Sequence, residues 1–157
     1  MQLPIYQFTP EGYENLKKEQ AKLQHERPEV VEELQKAREL GDLSENGRYK
    51  AARAQLSFLD GRLRHLERLI RFGKVIIENF EGKVCFGCKV VIDDGNGPKE
   101  FEMVGSYEAN PAKNKLSVNS PIGQALMDKR KGETVKFTVP AGKVSYKIVD
   151  IKAPGEK

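Results

Sequence analysis

Two carboxylates three residues apart, Asp42 and Glu45, stand in the run Gly41-Asp42-Leu43-Ser44-Glu45-Asn46. Carboxylate oxygens are hard ligands that suit Mg²⁺, an ion that keeps several waters and borrows further ligands from a phosphate or another protein. Two side chains cannot complete an octahedral shell, so the pair reads as a half-site offered to a partner. The same residue types also have a purely local use. Asp42 or Ser44 could cap a following helix, and Glu45 could answer the dipole of its first turn. Spacing alone leaves both readings open.

The flanking sequence predicts what positions this run. Thr9-Pro10-Glu11 is a helix start, with a hydroxyl cap, proline at the first helical position and an acid in the first turn. From there, steps of three and four give Tyr13, Leu16, Gln20, Leu23, Arg27, Val30, Leu34 and Ala37, a stripe with two polar breaks. Pro28 removes a backbone donor inside this helix and should kink or loosen one turn. A second stripe, Tyr49, Ala52, Leu56, Leu59, Leu63, Leu66 and Ile70, has no break. Folding the chain near Leu43 pairs Ala37 with Tyr49, Leu34 with Ala52, Val30 with Leu56 and Leu23 with Leu63 in one antiparallel register. Gly41 stops the first helix, and the second should start around Leu43 to Glu45. At 1.5 Å per residue the arms form a rod of roughly 40 Å. Small residues, Ala37, Gly41, Gly47, Ala51 and Ala52, should make its end narrow enough to enter a channel.

Composition agrees with an extended element on a small body: hydrophobic residues make up 38% and charged ones 32%, too little apolar surface for one large core. The net charge of +4 permits nucleic-acid contact without establishing it. Charge is unevenly shared, however. Residues 10–42 hold 6 basic and 9 acidic side chains, whereas residues 45–74 hold 8 basic and 3 acidic. Two uses compete: attraction between the arms across the seam, and guidance of a phosphate backbone near the acids. Arg38, Arg48, Lys50 and Arg53 lie within about two helical turns of the acids. No apolar run approaches the roughly 20 residues that span a bilayer, and Met1–Thr9 shows no secretory pattern, so cytoplasm is the expected compartment. Cys85-Phe86-Gly87-Cys88 lacks further soft ligands nearby and reads first as small buried residues at a strand turn. A redox pair and half of an intersubunit metal site are the other uses.

From about residue 74 the helical period stops, and β-rich runs follow at 74–77, 83–92, 99–107, 115–118, 134–139 and 143–151. Asp93-Asp94-Gly95-Asn96-Gly97 is a hairpin turn, and Ser120-Pro121 starts a short helix through about Asp128. The expected fold is α+β: a helical hairpin over 1–74 and, over 75–157, a small antiparallel sheet wrapped around one helix.

Ala37-Arg38-Glu39-x-Gly41-Asp42-Leu43-Ser44-Glu45-Asn46-x-x-Tyr49-x-Ala51-Ala52 resembles the Gre family of bacterial transcript cleavage factors, the GreA branch in particular. The likeness covers essentially the whole chain and resumes in Ser117-Val118-Asn119-Ser120-Pro121-Ile122 and Val139-Pro140-Ala141-Gly142. It implies an FKBP-like C-terminal domain and a monomeric elongation factor with no enzymatic activity alone. Such a factor inserts its coiled coil through the secondary channel of RNA polymerase and stimulates cleavage of backtracked nascent RNA. Asp42 and Glu45 match the acids that help hold a Mg²⁺ ion jointly with the polymerase and orient the attacking water. Arg38 and Arg53 match a basic patch facing the RNA. Asn119, Ser120, Pro121 and Ile122 match the segment that docks on polymerase outside the channel. The chain departs from the pattern at Gly47-Arg48, where many relatives carry an acid. The added charge could grip the RNA or weaken the hold on the metal, and grip is the preferred reading. The rivals are a channel-binding inhibitor, against which the intact tip argues, an adaptor whose acids are only caps, and a prolyl isomerase, which fold likeness alone would suggest.

Overall fold

The computed structural model describes residues 5–41 and 46–155, so Asp42, Leu43, Ser44 and Glu45 lie outside the described residues. Helix α1 spans Pro10–Arg38 and runs through Pro28. Its start follows the expected chemistry: Thr9 Oγ1 accepts the Gly12 amide at 3.1 Å. Beyond Arg38 the Glu39 amide still donates to Gln35 O and the Leu40 amide to Ala37 O, and Gly41 has φ +114°. That left-handed backbone is open to glycine at no steric cost and ends the helix. Helix α2 spans Gly47–Phe72, starting later than the Leu43 to Glu45 expected from sequence because Asn46 is its cap.

The two helices pack through the predicted stripes. Leu16, Val30 and Ala37 of α1 and Ala52, Leu59 and Leu66 of α2 are buried, while near the end of α2 it is Leu69 that is buried and the expected Ile70 is half-buried. Ala37 and Ala52, at 0% and 3% exposure, show why the distal end needs small side chains. Arg27, a polar break in the first stripe, reaches across to Asp60 with Nε to Oδ1 at 2.8 Å. Arg62 makes two bonds to Glu19 (2.7 and 2.9 Å), and Arg48 makes two to Glu33, the longer 3.0 Å. Tyr13 Oη donates to Ile70 O at 2.9 Å. The charge asymmetry of the arms therefore serves at least partly to lace them together with forked guanidinium–carboxylate contacts.

Compact packing divides the chain differently from a cut at residue 74. Tyr13–Gly73 forms one unit, while the residues up to Gly12 join those from Lys74 onward in the other. Strand β1 (Tyr6–Phe8), not expected from the sequence, pairs with β2 (Gly73–Val75), and the Ile76 amide donates to Phe8 O at 2.9 Å. The Glu108 carboxylate accepts both the backbone amide (3.1 Å) and the hydroxyl of Thr9. A Cβ on Gly12 would lie 2.3 Å from the Glu108 carboxyl group, so this first turn requires glycine for close approach.

The remaining strands, β3 (Lys89–Asp93), β4 (Pro98–Val104), β5 (Lys115–Ser117), β6 (Thr134–Val139) and β7 (Gly142–Lys152), form one sheet in the order β5-β4-β3-β7-β6. The sheet is mixed rather than wholly antiparallel, because β5 runs parallel to β4. A crossover through the 3₁₀ turn Pro111–Lys113 makes that possible, where a tight hairpin would have reversed the strand. The Asp93–Gly97 turn forms as expected, with Asp93 Oδ1 accepting the Gly95 amide at 2.8 Å. The expected strand over 83–92 begins only at Lys89, since Gly87 at φ +85° turns the backbone within the Cys85–Cys88 segment. Helix α3 (Pro121–Leu126) stops two residues short of the expected Asp128, which has φ +65°. Val84, Val90, Ile92, Met103, Leu126, Val135 and Ile148 make the core between sheet and α3. Fully burying such a side chain is worth about 1.5–3 kcal/mol.

The ion pairs give the hairpin a pH dependence of definite sign. The hydrogen bond from Arg62 holds the Glu19 carboxyl below its ordinary value, and Arg48 and Arg27 do the same for Glu33 and Asp60. A carboxylate depressed in the folded state stabilises above its unfolded pKa and loses that contribution as pH falls through its folded one. Glu102 in the other unit acts oppositely: burial raises its pKa, so its contribution is lost as pH rises. Each exposed pair is worth little singly, and salt screens it. Acidification from about pH 7 to about pH 3 should therefore loosen the hairpin. Helical ellipticity at 222 nm and the melting temperature should fall together, less so for Glu19→Gln and less at high salt. Unchanged melting across this range would mean that the pairs add nothing to stability.

Candidate functional site

The end of the hairpin is organised by Asn46. Its Oδ1 accepts the Tyr49 amide at 3.0 Å, which caps α2, and its Nδ2 donates to Ala37 O at 2.6 Å, near the C-terminus of α1. One side chain thus satisfies an orphan amide of one helix and a late carbonyl of the other. The sequence offered Asp42 and Ser44 as caps; the structure gives that position to Asn46, and the first turn of α2 carries no acid. Asp42 and Ser44, the caps offered by the sequence, lie outside the described residues. Asn46 could have been found from sequence, since asparagine is as good a cap as aspartate or serine and Gly47 begins the helix.

The four basic residues divide. Arg38, the last residue of α1, lies over the Tyr49 ring with its guanidinium carbon 6.0 Å from the centroid. Arg48 is engaged by Glu33, and the hydrogen bond to that carboxylate raises its pKa. Lys50 and Arg53 lie on the exposed side of α2. Two of the four therefore also have work inside the hairpin. Among the described residues no group of three or more His, Cys, Asp or Glu side chains could hold a metal. In kind, the oxygen donors of Asp42 and Glu45 fit Mg²⁺; in number they need a partner's ligands.

In the other unit the segment 119–122 is held by its own hydrogen bonds. Ser120 Oγ accepts the Gly123 amide at 3.0 Å and donates to Ser117 O at 2.7 Å. Asn119 is exposed, with Nδ2 bonded to Ser106 Oγ at 2.8 Å, and Pro121 is exposed at the first position of α3. Gly123 lies against β5, where an added Cβ would sit 1.9 Å from Ser117 O. Ile122 differs from its neighbours because it packs half-buried on the core. It also lines a cavity of about 90 Å³ with Ile92, Phe101, Leu116 and Tyr146, with Asp94 and Lys99 completing the wall. This aromatic-lined pocket is not legible in the sequence, because Phe101 and Tyr146 stand on strands far apart in the chain. Val139-Pro140-Ala141-Gly142 makes the β6–β7 turn, with Val139 paired to Gly142.

Comparison with known proteins covers both units. Residues 6–75 match the family model described as transcription elongation factor, N-terminal, and residues 79–153 match transcription elongation factor, GreA/GreB, C-term. The chain is 44% identical over 149 residues to transcription elongation factor GreA of Thermodesulfovibrio yellowstonii, covering 92% of this chain and 94% of the relative. It is 39% identical over 154 residues to the GreA protein of Nitratidesulfovibrio vulgaris, covering 96% and 94%. Among solved structures it is similar to GreA factor homolog 1 of Thermus thermophilus, with a TM-score of 0.45, 25% identity, and coverage of 96% of this chain and 100% of that one.

Proposed function

Because the chain belongs to the GreA/GreB family of transcription elongation factors, we propose that it binds RNA polymerase through the secondary channel and stimulates cleavage of backtracked nascent RNA. The observation that carries this reading is the clasp made by Asn46. The clasp fixes the two helix ends that flank residues 42–45, and Asp42 and Glu45 are assigned to chemistry beyond the chain. The hairpin's part is to present two carboxylates at the end of a narrow rod whose arms cannot slide past one another. Asp42 and Glu45 would hold a Mg²⁺ ion jointly with the polymerase, and that ion would supply Lewis-acid stabilisation of charge on the phosphate. The polymerase remains the catalyst, and the factor acts as a monomer in the cytoplasm.

Lys50 and Arg53 are assigned to the RNA 3′ segment, with Arg38 beside them and Arg48 chiefly locking the arms. Asn119, Ser120 and Pro121 are assigned to docking, with Ile122 supporting them from below. Ser120 caps α3 at the same time, and the two roles are compatible.

The central test is Asp42→Asn with Glu45→Gln. These amides keep size and cap-like hydrogen bonding while removing the charge a metal needs. Binding to polymerase should persist, stimulated cleavage should drop by about 100-fold or more, in line with the loss of a charge-stabilising group, and excess Mg²⁺ should restore part of it. The variant should also compete with the wild type. If the acids are only caps, the cost is at most about 1 kcal/mol of stability with cleavage intact. That result would end the proposal.

For the RNA interaction, Lys50→Ala with Arg53→Ala should weaken action on long backtracked transcripts more than on short ones. Each phosphate that loses its basic partner should lower the log–log salt slope by roughly one. Arg48→Ala should instead lower hairpin stability with little change in that slope. An unaltered slope and length preference in the double variant would make Lys50 and Arg53 a solvated helix face.

For docking, Asn119→Ala with Pro121→Ala should weaken affinity for polymerase and leave cleavage at saturation nearly normal. Both side chains are exposed, so circular dichroism should stay native, whereas a charge at Ile122 would enter the core. Wild-type affinity in this double variant would move the docking surface elsewhere.

A further inference from the structure

We propose that Cys85 and Cys88 form a reversible thiol–disulfide exchange site on the C-terminal unit, with Cys85 the attacked sulfur and a low-molecular-weight thiol or its disulfide as the co-reactant. The two cysteines are joined as a disulfide with their Cα atoms 5.3 Å apart. They enclose Phe86 and Gly87 in a turn immediately before β3. The proposal rests on three features of that turn: what holds it, how its two sulfurs differ, and what lies beside the inner one.

Hydrogen bonds independent of the sulfurs hold the turn. The Cys88 amide donates to Cys85 O at 3.1 Å, closing the turn on itself. The Gly87 amide donates to Met103 O at 2.7 Å, and the Met103 amide donates to Cys88 O at 2.8 Å, tying the turn to β4. The Phe86 amide donates to the Glu78 carboxylate at 3.2 Å, and the Phe86 side chain is buried. Just upstream, the Val84 amide donates to Lys129 O, and the Val84 carbonyl accepts the Asp128 amide. Opening the S–S bond removes none of these. The two thiols therefore stay close after reduction, and reclosure is an intramolecular step at high effective concentration. A cross-link that closes only this short loop also restricts the unfolded chain less than one that closes a long loop.

The sulfurs are not equivalent. Cys88 is fully buried and Cys85 keeps 7% exposure, so an incoming thiolate meets Cys85 first. Cys88 Sγ lies 3.9 Å from Lys83 O, an acceptor ready for the S–H that forms once this sulfur is released and protonated. In the first step a thiolate RS⁻ attacks Cys85 Sγ, a Cys85–S–S–R bond forms, and the Cys85–Cys88 bond breaks with its electron pair leaving on Cys88. That thiolate takes a proton from solvent. In the second step another RS⁻ attacks the R sulfur, releases Cys85 as thiolate and leaves as RSSR. Two thiols are oxidised and the protein disulfide is reduced by two electrons. Oxidation by RSSR is the reverse sequence.

The test uses glutathione and the full-length protein. Wild type is equilibrated with varied ratios of reduced to oxidised glutathione from both starting states, quenched with acid, alkylated and weighed by mass spectrometry. A single two-electron transition should appear, the same from either direction, with near- and far-UV circular dichroism unchanged across it. With oxidised glutathione, Cys88→Ser should accumulate the mixed disulfide on Cys85, while Cys85→Ser should react at least roughly tenfold more slowly at the shielded Cys88. Reduction that proceeds only after denaturant opens the fold would overturn the proposal and leave a static cross-link. Failure of the reduced wild type to reoxidise would overturn it as well. Equal adduct rates in the two variants would overturn the assignment of Cys85. The wild-type titration needs no variant to fold, so it stands by itself if a serine substitution disturbs the turn.

Discussion

Everything distal in this protein depends on two helices keeping one antiparallel register. An apolar seam resists separation but resists sliding less well, because neighbouring leucines can exchange holes one turn along. What opposes sliding here is a set of directional contacts at different heights: Asn46 to Ala37 O, Arg48 to Glu33, Arg27 to Asp60, Arg62 to Glu19 and Tyr13 to Ile70 O. A shift by one turn moves an axis by about 5.4 Å and would break all five at once. Polar lacing on the outside of the seam therefore fixes the position of the rod's end to well within one turn.

The lacing also changes how the charge of α2 is understood. In sequence, this excess of Lys and Arg leaves two uses open, attraction to the acidic first arm and guidance of a phosphate backbone near the acids. In the structure Arg62 and Arg48 are matched to acids of α1, whereas Lys50 and Arg53 are exposed near the start of α2 and Arg64, Arg68 and Arg71 are exposed further along it. Paired and exposed charges thus share one helix and differ by whether an acid of α1 reaches them. This division is invisible in net charge, which counts both kinds alike.

Much of this could be read before any coordinates. The unbroken stripe from Tyr49 to Ile70 has one interpretation, since no other element repeats at alternating three and four, and the partner stripe follows from it. The turn at Asp93–Gly97 and the Ser120-Pro121 helix start are likewise local chemistry. What the sequence did not disclose was long-range or degenerate. Strand β1 has three residues and finds its partner past the entire hairpin. The parallel placing of β5 beside β4 depends on a crossover whose length does not announce its direction. At the hairpin end, Asp42, Ser44 and Asn46 are all competent caps, and only geometry decides for Asn46. The pairing of Cys85 with Cys88 was one of several uses that a lone Cys-x-x-Cys leaves open.

The contacts that tie β1 and Thr9 to distant partners have a consequence for synthesis on the ribosome. Thr9 waits for Glu108, across 99 residues of chain, whereas the hairpin's contacts are complete once Phe72 has emerged. Local contacts form early and distant ones late. The rod is therefore able to assemble while β1 and Thr9 still lack their partners. Strand β1 and Thr9, made before the hairpin, are then built in after it, and their unit closes only across an already folded insertion.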